Sequence, residues 1–474
     1  MSSNNRLQRP PGPNRTASAS SFAEAFSIAR RNLEDEISHE EPVSSSDIPS
    51  PALSSTDAPS TPALSSSQLA TPASLATPFT EPQTPSLGDS GYDDDVADNF
   101  AFAFDIDGVL VRGGQPIPEA IEAMKVLNGE NEYGIRVPYI FLTNGGGKTE
   151  EERCQDLSKQ LELEVSPGQF ICGHTPMREL ADKYRGSVLV VGGEGEKCRS
   201  VAEMYGFQDV ITPGDIIKAN AATAPFRKLT DKEHANSRDL LERHGVEKLS
   251  DIVIEAVFVF ADSRDWASDL QIILDIAMSK GGRLETRSET FEEGPPIYFS
   301  HSDVVWSAAH EHVRLGMGAL RRIVETVFSD VTGGKKLETH AFGKPQVSTF
   351  EFATRLLQQW RSTQHGLVAH RRPLDTVYFV GDTPESDIRG TNAMDAKTKN
   401  TSWYSVLVKT GVYQDGTEPA YKPRAVVDTV LDAVNHGIER EMVRRRAKHA
   451  ARDAKDQGGL IQKLATIHVQ DCSS

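Results

Sequence analysis

Two aspartates behind an apolar stretch are the first residues in this sequence whose types and spacing suggest chemistry. The segment FAFDIDGVLVRGG (102–114) places Asp105 and Asp107 one residue apart, at the end of a predicted buried strand, with a glycine directly after them. Two carboxylates this close repel each other unless a cation or a proton lies between them. The pair therefore indicates a site that binds a metal ion or transfers protons.

Three further polar pieces follow predicted strands or lie in nearby loops. They are Thr143 with Asn144, Lys344 between a glycine and a proline, and Asp382 with Asp387 in GDTPESD. In an open parallel sheet, ligands bind beyond the carboxyl ends of the strands. We expect these pieces and the first aspartate pair to converge in one pocket.

Such a pocket would suit phosphoryl transfer. Clustered carboxylates need a hard cation, and Mg²⁺ prefers oxygen ligands. The ion and a lysine would neutralise the phosphoryl group during transfer. One aspartate would attack phosphorus to form an acyl phosphate. The other would protonate the leaving oxygen and later deprotonate water.

The elements that must position these residues alternate between strands and helices. A strand ends at Asp105, a helix is predicted over Pro118–Leu127, and a second strand over Val137–Leu142. Further buried strands are predicted at 187–193, 255–262, 375–381 and 405–412, with amphipathic helices between them. This alternation predicts an α/β fold with a parallel sheet.

Composition divides the chain into four parts. Residues 1–98 are rich in Ser, Pro and Thr and are expected to be disordered, with a short helix near SFAEAFSIARRNLEDEI. The α/β core is predicted at 99–146 and 340–436, around an α/β insertion at 147–339. Residues 437–474 form a basic segment that is expected to be helical or disordered.

Charge and cysteine content exclude several classes of protein. The chain has 474 residues and a net charge of −17, which disfavours non-specific binding to nucleic acid. Four scattered cysteines fit neither a disulfide framework nor a zinc site. No apolar run is long enough to predict a transmembrane segment.

The compartment stays open between two alternatives at this level. The first 31 residues carry five arginines, many serines and one acid, Glu24, which weakly resembles a mitochondrial transit peptide. A disordered tail whose acidic residues come later explains the same pattern, and would fit a cytoplasmic protein equally well.

The four motifs in this order resemble those of the haloacid dehalogenase-like hydrolases. The resemblance covers about 99–430 and implies a phosphoric monoester hydrolase with a Rossmann-like core and Mg²⁺ as cofactor. It implies that Asp105 is the nucleophile, that Asp107 is the general acid and base, and that Lys344 holds the nucleophile and the phosphate.

The resemblance also implies the remaining site residues. The metal ligands would be the Asp105 carboxylate, the Asp107 backbone carbonyl and Asp382, with Asp387 on the metal or in its outer shell. Thr143 would bind the phosphoryl oxygen with Asn144 beside it. Asp303, which lies where the insertion rejoins the core, is a further candidate for substrate binding.

The insertion after the second motif resembles the large cap of subfamily IIA. Within that group, the sequence resembles the branch named after cat eye syndrome critical region protein 5, whose members are generally mitochondrial. Some fungal members are linked to glycerophospholipid synthesis. A large cap restricts access, so the expected substrate is a small phosphorylated metabolite.

Three sequence features depart from that pattern or offer competing interpretations. Gly145–Gly147 replace the third polar residue that the subfamily often has after the second strand. GGGKT at 145–149 is not a nucleotide P-loop, because position 142 is Leu142 rather than glycine. We interpret His310-Glu311-His312 as a solvated helix surface and not as a metal site, since residues two apart on a helix do not share a face.

Two alternatives to the phosphatase hypothesis remain. The first is a phosphotransferase that hands the phosphoryl group to an alcohol in lipid head-group metabolism. The second is a non-catalytic scaffold or binding protein that kept the fold. All the acidic motif residues are present in this chain, which argues against it.

Overall fold

The computed structural model describes residues 96–369 and 371–471, with the backbone alone for 452–471. All described residues belong to one compact unit, Glu81–Ser474. The predicted N-terminal disorder and the short helix within it lie outside the described residues, apart from 96–98.

Strands account for both sheets and for two short hairpins. In chain order they are β1 (Phe100–Phe104), β2 (Val111–Arg112), β3 (Gln115–Pro116), β4 (Tyr139–Leu142), β5 (Phe170–Ile171), β6 (Ser187–Val191), β7 (Asp209–Ile211), β8 (Ile254–Val259), β9 (Ile297–Phe299), β10 (Val305–Trp306), β11 (Arg314–Leu315), β12 (Thr339–Ala341), β13 (Thr376–Gly381), β14 (Ser402–Val408) and β15 (Ala425–Val427).

The α-helices lie between the strands and after the last of them. In chain order they are α1 (Pro118–Leu127), α2 (Glu150–Leu161), α3 (Lys197–Met204), α4 (Pro213–Ala219), α5 (Asp231–Asn236), α6 (Leu240–His244), α7 (Trp266–Ala277), α8 (Met317–Val331), α9 (Val347–His365), α10 (Arg389–Lys397) and α11 (Val430–Asp471).

The first sheet has six parallel strands in the order β15-β14-β13-β1-β4-β5. The central strand β1 reads FAFAF and is buried at every position, because parallel strands are covered on both faces. Its phenylalanines face one hydrophobic cluster and its alanines face another. This alternation of side chains fixes the register at which β1 delivers Asp105 to the edge of the sheet.

The second sheet has five parallel strands in the order β12-β9-β8-β6-β7 and its own hydrophobic clusters. Its strands lie within the segment that separates the second motif from the lysine motif. The prediction of an α/β class with a parallel-sheet core is confirmed by these two sheets. The six-stranded sheet also takes β5 from the predicted insertion, and the exact domain boundaries stay predictions.

Helix α2 begins with a reciprocal capping arrangement directly after the glycine loop. The Thr149 side chain accepts a hydrogen bond from the Glu152 backbone, and the Glu152 side chain accepts one from the Thr149 backbone. The cap fixes where the helix starts, so the first turn of α2 stands next to the carboxyl ends of β1 and β4.

One local prediction is wrong. Residues 310–312 lie in the loop between β10 and β11 and not on a helix. His310, Glu311 and His312 are exposed there, as the prediction of a solvated surface required. The sequence of this short hairpin has no periodic pattern of apolar residues, so it could not be distinguished from a helix.

The C-terminal helix α11 packs on the six-stranded sheet through a buried polar group. The carboxylate of Glu441, which is 1% exposed, accepts a hydrogen bond from the Tyr378 hydroxyl at 2.8 Å and pairs with Arg444. Helix α11 includes most of the segment 437–474, for which the sequence left a helix or disorder open. Among the described residues, no helix has the length and hydropathy that crossing a bilayer requires.

Candidate active site

The first aspartate of the opening motif lies at the junction of the two central strands. The backbone N–H of Asp105 donates to the Val380 carbonyl of β13 at 2.9 Å, so the residue directly after β1 is still hydrogen-bonded to the sheet. Beyond it the chain turns, and Gly108 adopts φ +87°. A Cβ at Gly108 would lie 2.2 Å from Asp382 Oδ2, so only glycine allows the two loops to approach this closely.

Lys344 joins two of the predicted aspartates. Its Nζ lies 2.7 Å from Asp105 Oδ1 and 2.8 Å from Asp387 Oδ1, and its side chain is 1% exposed. Burial alone would lower the pKa of Lys344, but the two carboxylates outweigh that effect and raise it. Lys344 is therefore a permanent buried cation between Asp105, which follows β1, and Asp387, which follows β13.

Asn144 holds the lysine loop in place. Its side-chain Oδ1 accepts a hydrogen bond from the Lys344 backbone N–H at 2.8 Å, and its Nδ2 donates to the Lys344 carbonyl at 3.1 Å. The same Nδ2 donates to Asp303 Oδ2 at 2.8 Å. These bonds occupy both amide hydrogens of Asn144, and they bring the candidate Asp303 to the same corner of the site.

The loop after β13 is organised by Asp387. Its Oδ2 accepts hydrogen bonds from the backbone N–H groups of Asp382 and Thr383, both at 3.0 Å. Asp382 is fixed in turn, because its Oδ1 accepts from the Thr383 hydroxyl at 3.0 Å and its Oδ2 from the Val412 N–H at 2.7 Å. The two acidic side chains are thus held in one orientation before any ligand binds.

Three carboxylates meet at the centre of this arrangement. One oxygen from each of Asp105, Asp382 and Asp387 lies within 4.8 Å of the others. Burial and the neighbouring Asp387 raise the pKa of Asp105 to about 8, even though Lys344 opposes the shift. Burial, Asp387 and Asp105 raise the pKa of Asp382 well above its usual range. The cluster thus has more negative charge than one lysine balances.

This excess of negative charge fits a divalent cation. The donors are all carboxylate oxygens, which are the ligands of hard ions such as Mg²⁺. Asp105, Asp382 and Asp387 are the described side chains that would hold it. The predicted contribution of the Asp107 backbone carbonyl stays a prediction.

Asp107 and Thr143 lie on the other side of the nucleophile candidate. Thr143 follows β4, and its hydroxyl accepts a hydrogen bond from the Gly145 N–H at 2.9 Å. Burial raises the pKa of Asp107, Arg153 and Lys344 oppose that shift, and Asp262 adds to it. A carboxyl group with a raised pKa is suited to move protons near neutral pH.

Two neighbours of Asp107 were not predicted from the sequence. Arg153 lies in the first turn of α2, and Asp262 follows β8 of the second sheet, with its Oδ1 buried and without a hydrogen-bond partner among the described residues. Arg153 belongs to no recognisable motif, whereas Asp262 ends the predicted strand 255–262 but was not named as a site residue. The signal that could have found Arg153 is its place one turn into a helix that starts directly after the Thr143 loop.

Comparisons with known proteins agree with this arrangement. A family model described as haloacid dehalogenase-like hydrolase matches residues 102–208, and a second, described as HAD-hydrolase-like, matches residues 341–433. The two matches contain the motifs on both sides of the insertion.

Two curated relatives from yeasts are similar over most of the described chain. A mitochondrial hydrolase of Saccharomyces cerevisiae is 39% identical over 358 residues, which are 72% of this chain and 96% of that protein. A cardiolipin synthase (CMP-forming)/mitochondrial hydrolase fusion protein of Schizosaccharomyces pombe is 38% identical over 345 residues. The chain spans about half the length of that fusion protein, 53%.

Solved structures show a weaker likeness. The p-nitrophenyl phosphatase from Archaeoglobus fulgidus is 18% identical with a TM-score of 0.45, covering 72% of this chain and 100% of that one. The sequence relatives decide the assignment, and the predicted resemblance to this hydrolase family and its fungal mitochondrial members is confirmed. The chain belongs to the haloacid dehalogenase-like hydrolases.

Proposed function

We propose that the protein is a Mg²⁺-dependent phosphatase that acts on a small phosphorylated metabolite through an aspartyl-phosphate on Asp105. The observation that carries the proposal is the Lys344 ammonium, which lies 2.7 Å from the Asp105 carboxylate inside a cluster of three buried carboxylates. A nucleophilic carboxylate next to a fixed cation is the arrangement that attack on a phosphoryl group requires.

In the first half-reaction, an Asp105 oxygen forms a bond to phosphorus while the bond from phosphorus to the substrate alcohol breaks. Asp107, in its protonated form, gives its proton to the departing oxygen. Its raised pKa supports this role, because the acid form then persists to higher pH than in an ordinary aspartate. The product alcohol leaves, and the phosphoryl group stays on Asp105.

In the second half-reaction, the Asp107 carboxylate takes a proton from water, whose oxygen attacks phosphorus. The bond to Asp105 breaks, inorganic phosphate is released and the free carboxylate is restored. Lys344 and the Thr143 hydroxyl would bind the phosphoryl oxygens. When bound, Mg²⁺ would supply further positive charge to the transferring group. Asn144 would act by holding Lys344 rather than by contacting substrate.

The names of the relatives support a compartment and a metabolic setting. Both curated yeast relatives are named as mitochondrial, and one is a fusion to a cardiolipin synthase. We infer that this chain also acts in mitochondria. A substrate in glycerophospholipid metabolism, or transfer of the phosphoryl group to an alcohol of that pathway, is the second candidate function that the fusion favours.

Phosphate release from p-nitrophenyl phosphate and from a panel of phosphorylated metabolites tests the proposal. The full chain is assayed with Mg²⁺ and with excess chelator. We expect turnover that depends on the ion and that Asp382→Ala abolishes. A protein that binds Mg²⁺ but releases no phosphate from any ester would contradict it. Added glycerol or ethanol separates the second candidate, because a transferase would yield the phosphorylated acceptor.

A further inference from the structure

Gly145 allows three polar side chains to approach one another beside the glycine loop. Gly145 has no side chain, and the position that its Cβ would occupy lies 3.2 Å from Arg153 Nη2, 3.2 Å from Thr143 Oγ1 and 3.4 Å from Asp107 Oδ2. Three polar groups therefore lie close together at this position, and a side chain here would crowd them. Arg153 thus lies next to Gly145, in the loop where the subfamily often has a third polar residue after the second strand.

The Arg153 side chain, next to Gly145, is suited to bind a ligand. Its Nε is buried and has no hydrogen-bond partner among the described residues. A guanidinium carries five N–H donors, and a buried donor left unpaired costs free energy. Arg153 also lines a cavity, where an anionic ligand would contact the guanidinium.

A cavity of about 430 Å³ opens at the same place, between α2 and the β2–β3 hairpin. Its charged lining residues are Asp107, Lys148, Arg153, Asp156 and Lys159. Asp156 is already paired with Lys148, at 2.5 Å between Oδ2 and Nζ. This pairing leaves two cations, Arg153 and Lys159, against the one carboxylate of Asp107 in the cavity lining, which favours a negatively charged occupant.

The position of the cavity relative to Asp107 indicates which part of a substrate it would hold. The transferring phosphoryl group lies at Asp105, where Lys344 already provides a cation. The leaving oxygen must reach Asp107 to receive a proton. A group that continues past Asp107 into the cavity therefore belongs to the leaving alcohol.

We propose that Arg153 is a specificity-determining residue that binds a second negative charge, carried by the leaving group, so that the preferred substrates are phosphate monoesters of anionic alcohols. The inference rests on the proposed phosphatase function and deepens it. Lys159 adds to the positive potential of the cavity, and Gly145 is required because a side chain there would displace the guanidinium.

Two aryl phosphates of similar leaving-group acidity test this specificity. Phenyl phosphate gives a neutral phenol, and 4-carboxyphenyl phosphate gives one that carries a carboxylate. We expect the wild-type chain to prefer the carboxylate ester in kcat/KM. Arg153→Gln should lower kcat/KM for that ester about tenfold more than for phenyl phosphate, as loss of a charge-assisted hydrogen bond predicts. Equal losses on both esters would overturn the inference.

Three further variants separate specificity from folding. Gly145→Asn keeps the arginine in the sequence but displaces its guanidinium, and we expect it to reduce the same preference. Arg153→Lys should restore part of it. Arg185→Gln is the matched control, because Arg185 is exposed and pairs with Asp182 on the surface of the described part of the chain. A control that changes the preference as much as Arg153→Gln would overturn the inference.

Binding of the product alcohols keeps this test independent of turnover. Ligand-observed NMR compares 4-hydroxybenzoate with phenol on the wild-type chain and on Arg153→Gln. We expect 4-hydroxybenzoate to bind more tightly to the wild type and to lose that advantage in the variant. Equal binding of both phenols to the wild type would overturn the inference. Absence of hydrolysis of every phosphate ester would instead refute the proposed function.

Discussion

At the scale of single residues, Lys344 determines the electrostatic balance of the site. Its ammonium group contacts two carboxylates and lies over the Phe379 ring at 5.5 Å, with almost no access to water. A buried charge is tolerable only when its partners are present. Removing this lysine leaves Asp105 and Asp387 without a counter-charge.

We predict that Lys344→Met lowers the free energy of unfolding by about 3 kcal/mol in the absence of Mg²⁺, because it leaves two buried carboxylates unpaired. Urea unfolding in the presence of chelator measures the difference. Lys397→Met is the matched control: its ion pair with Glu351 is largely exposed, at 58% and 38%, so its loss should cost less than about 1 kcal/mol. Equal costs for the two variants would contradict this account.

The sequence was sufficient to predict this part of the site because each residue follows a strand in a short motif. Asp105, Lys344, Asp382 and Asp387 could be named, and the rule that ligands bind beyond strand ends predicted their convergence. Arg153 and Asp262 could not be found in the same way. Their proximity to Asp107 depends on the exact path of α2 and β8, which no local pattern specifies.

At the scale of elements, the glycine loop connects the β4 end of the first sheet to the second sheet. A Cβ at Gly146 would lie 2.5 Å from the Phe260 carbonyl oxygen, directly after β8, and 2.7 Å from the His174 ring. The missing side chains in this loop therefore allow close packing between the two sheets. From the sequence, the same glycines indicated only an altered phosphate rim.

We predict that Gly146→Ala lowers the free energy of unfolding by about 1–3 kcal/mol and reduces turnover, because the backbone carbonyl of Phe260 must move. The backbone of Gly146 is not left-handed, so the effect is steric. Gly168→Ala is the control, since its Cβ would make only ordinary contacts. Thermal unfolding of both variants measures the difference, and a neutral Gly146→Ala would show that the contact is not required.

Asp269 in helix α7 has a carboxyl group whose titration makes the free energy of unfolding depend on pH. Burial raises the pKa of Asp269 to about 6 from an ordinary value near 4, despite a hydrogen bond with Ser263. The folded state therefore binds the proton more tightly than the unfolded state. The stabilisation is complete below the unfolded pKa and is lost as pH rises through about 6.

We therefore predict that Asp269→Asn, which resembles the protonated side chain, is more stable than the wild type at pH 8, by roughly 2 kcal/mol. The difference should shrink as pH falls through this window and vanish near pH 4. Unfolding measured at pH 4, 6 and 8 tests this. A difference that does not change with pH would contradict the assignment.

At the scale of the whole molecule, segments more than two hundred residues apart assemble one charged centre. Asp105 and Lys344 come from opposite sides of the second sheet in sequence, and Asp382 lies later still. The class of fold followed from the alternation of elements, whereas the order of the strands was not predicted. The boundaries of the insertion did not, because β5 and α2 pack on the first sheet although they follow the second motif.

We predict that Mg²⁺ stabilises the folded chain as a whole, since the three-carboxylate cluster exists only when these segments are assembled. The melting temperature should rise with Mg²⁺ concentration, as ligand binding to the native state requires. Asp382→Ala should remove that shift. Asp415→Ala is the control, because Asp415 is exposed, pairs with Lys409 and does not belong to the three-carboxylate cluster. A shift that persists in Asp382→Ala would place the ion elsewhere.

The turnover of Asp105→Asn tests the central claim most directly. The substitution keeps the size of the side chain but removes the nucleophilic carboxylate, so no phosphoryl group can be transferred to it. With Mg²⁺ and p-nitrophenyl phosphate, we predict at least about a 10³-fold loss of kcat, with an unchanged circular dichroism spectrum. Turnover above a tenth or so of the wild-type rate in a folded Asp105→Asn protein would contradict the assignment of Asp105 as the nucleophile.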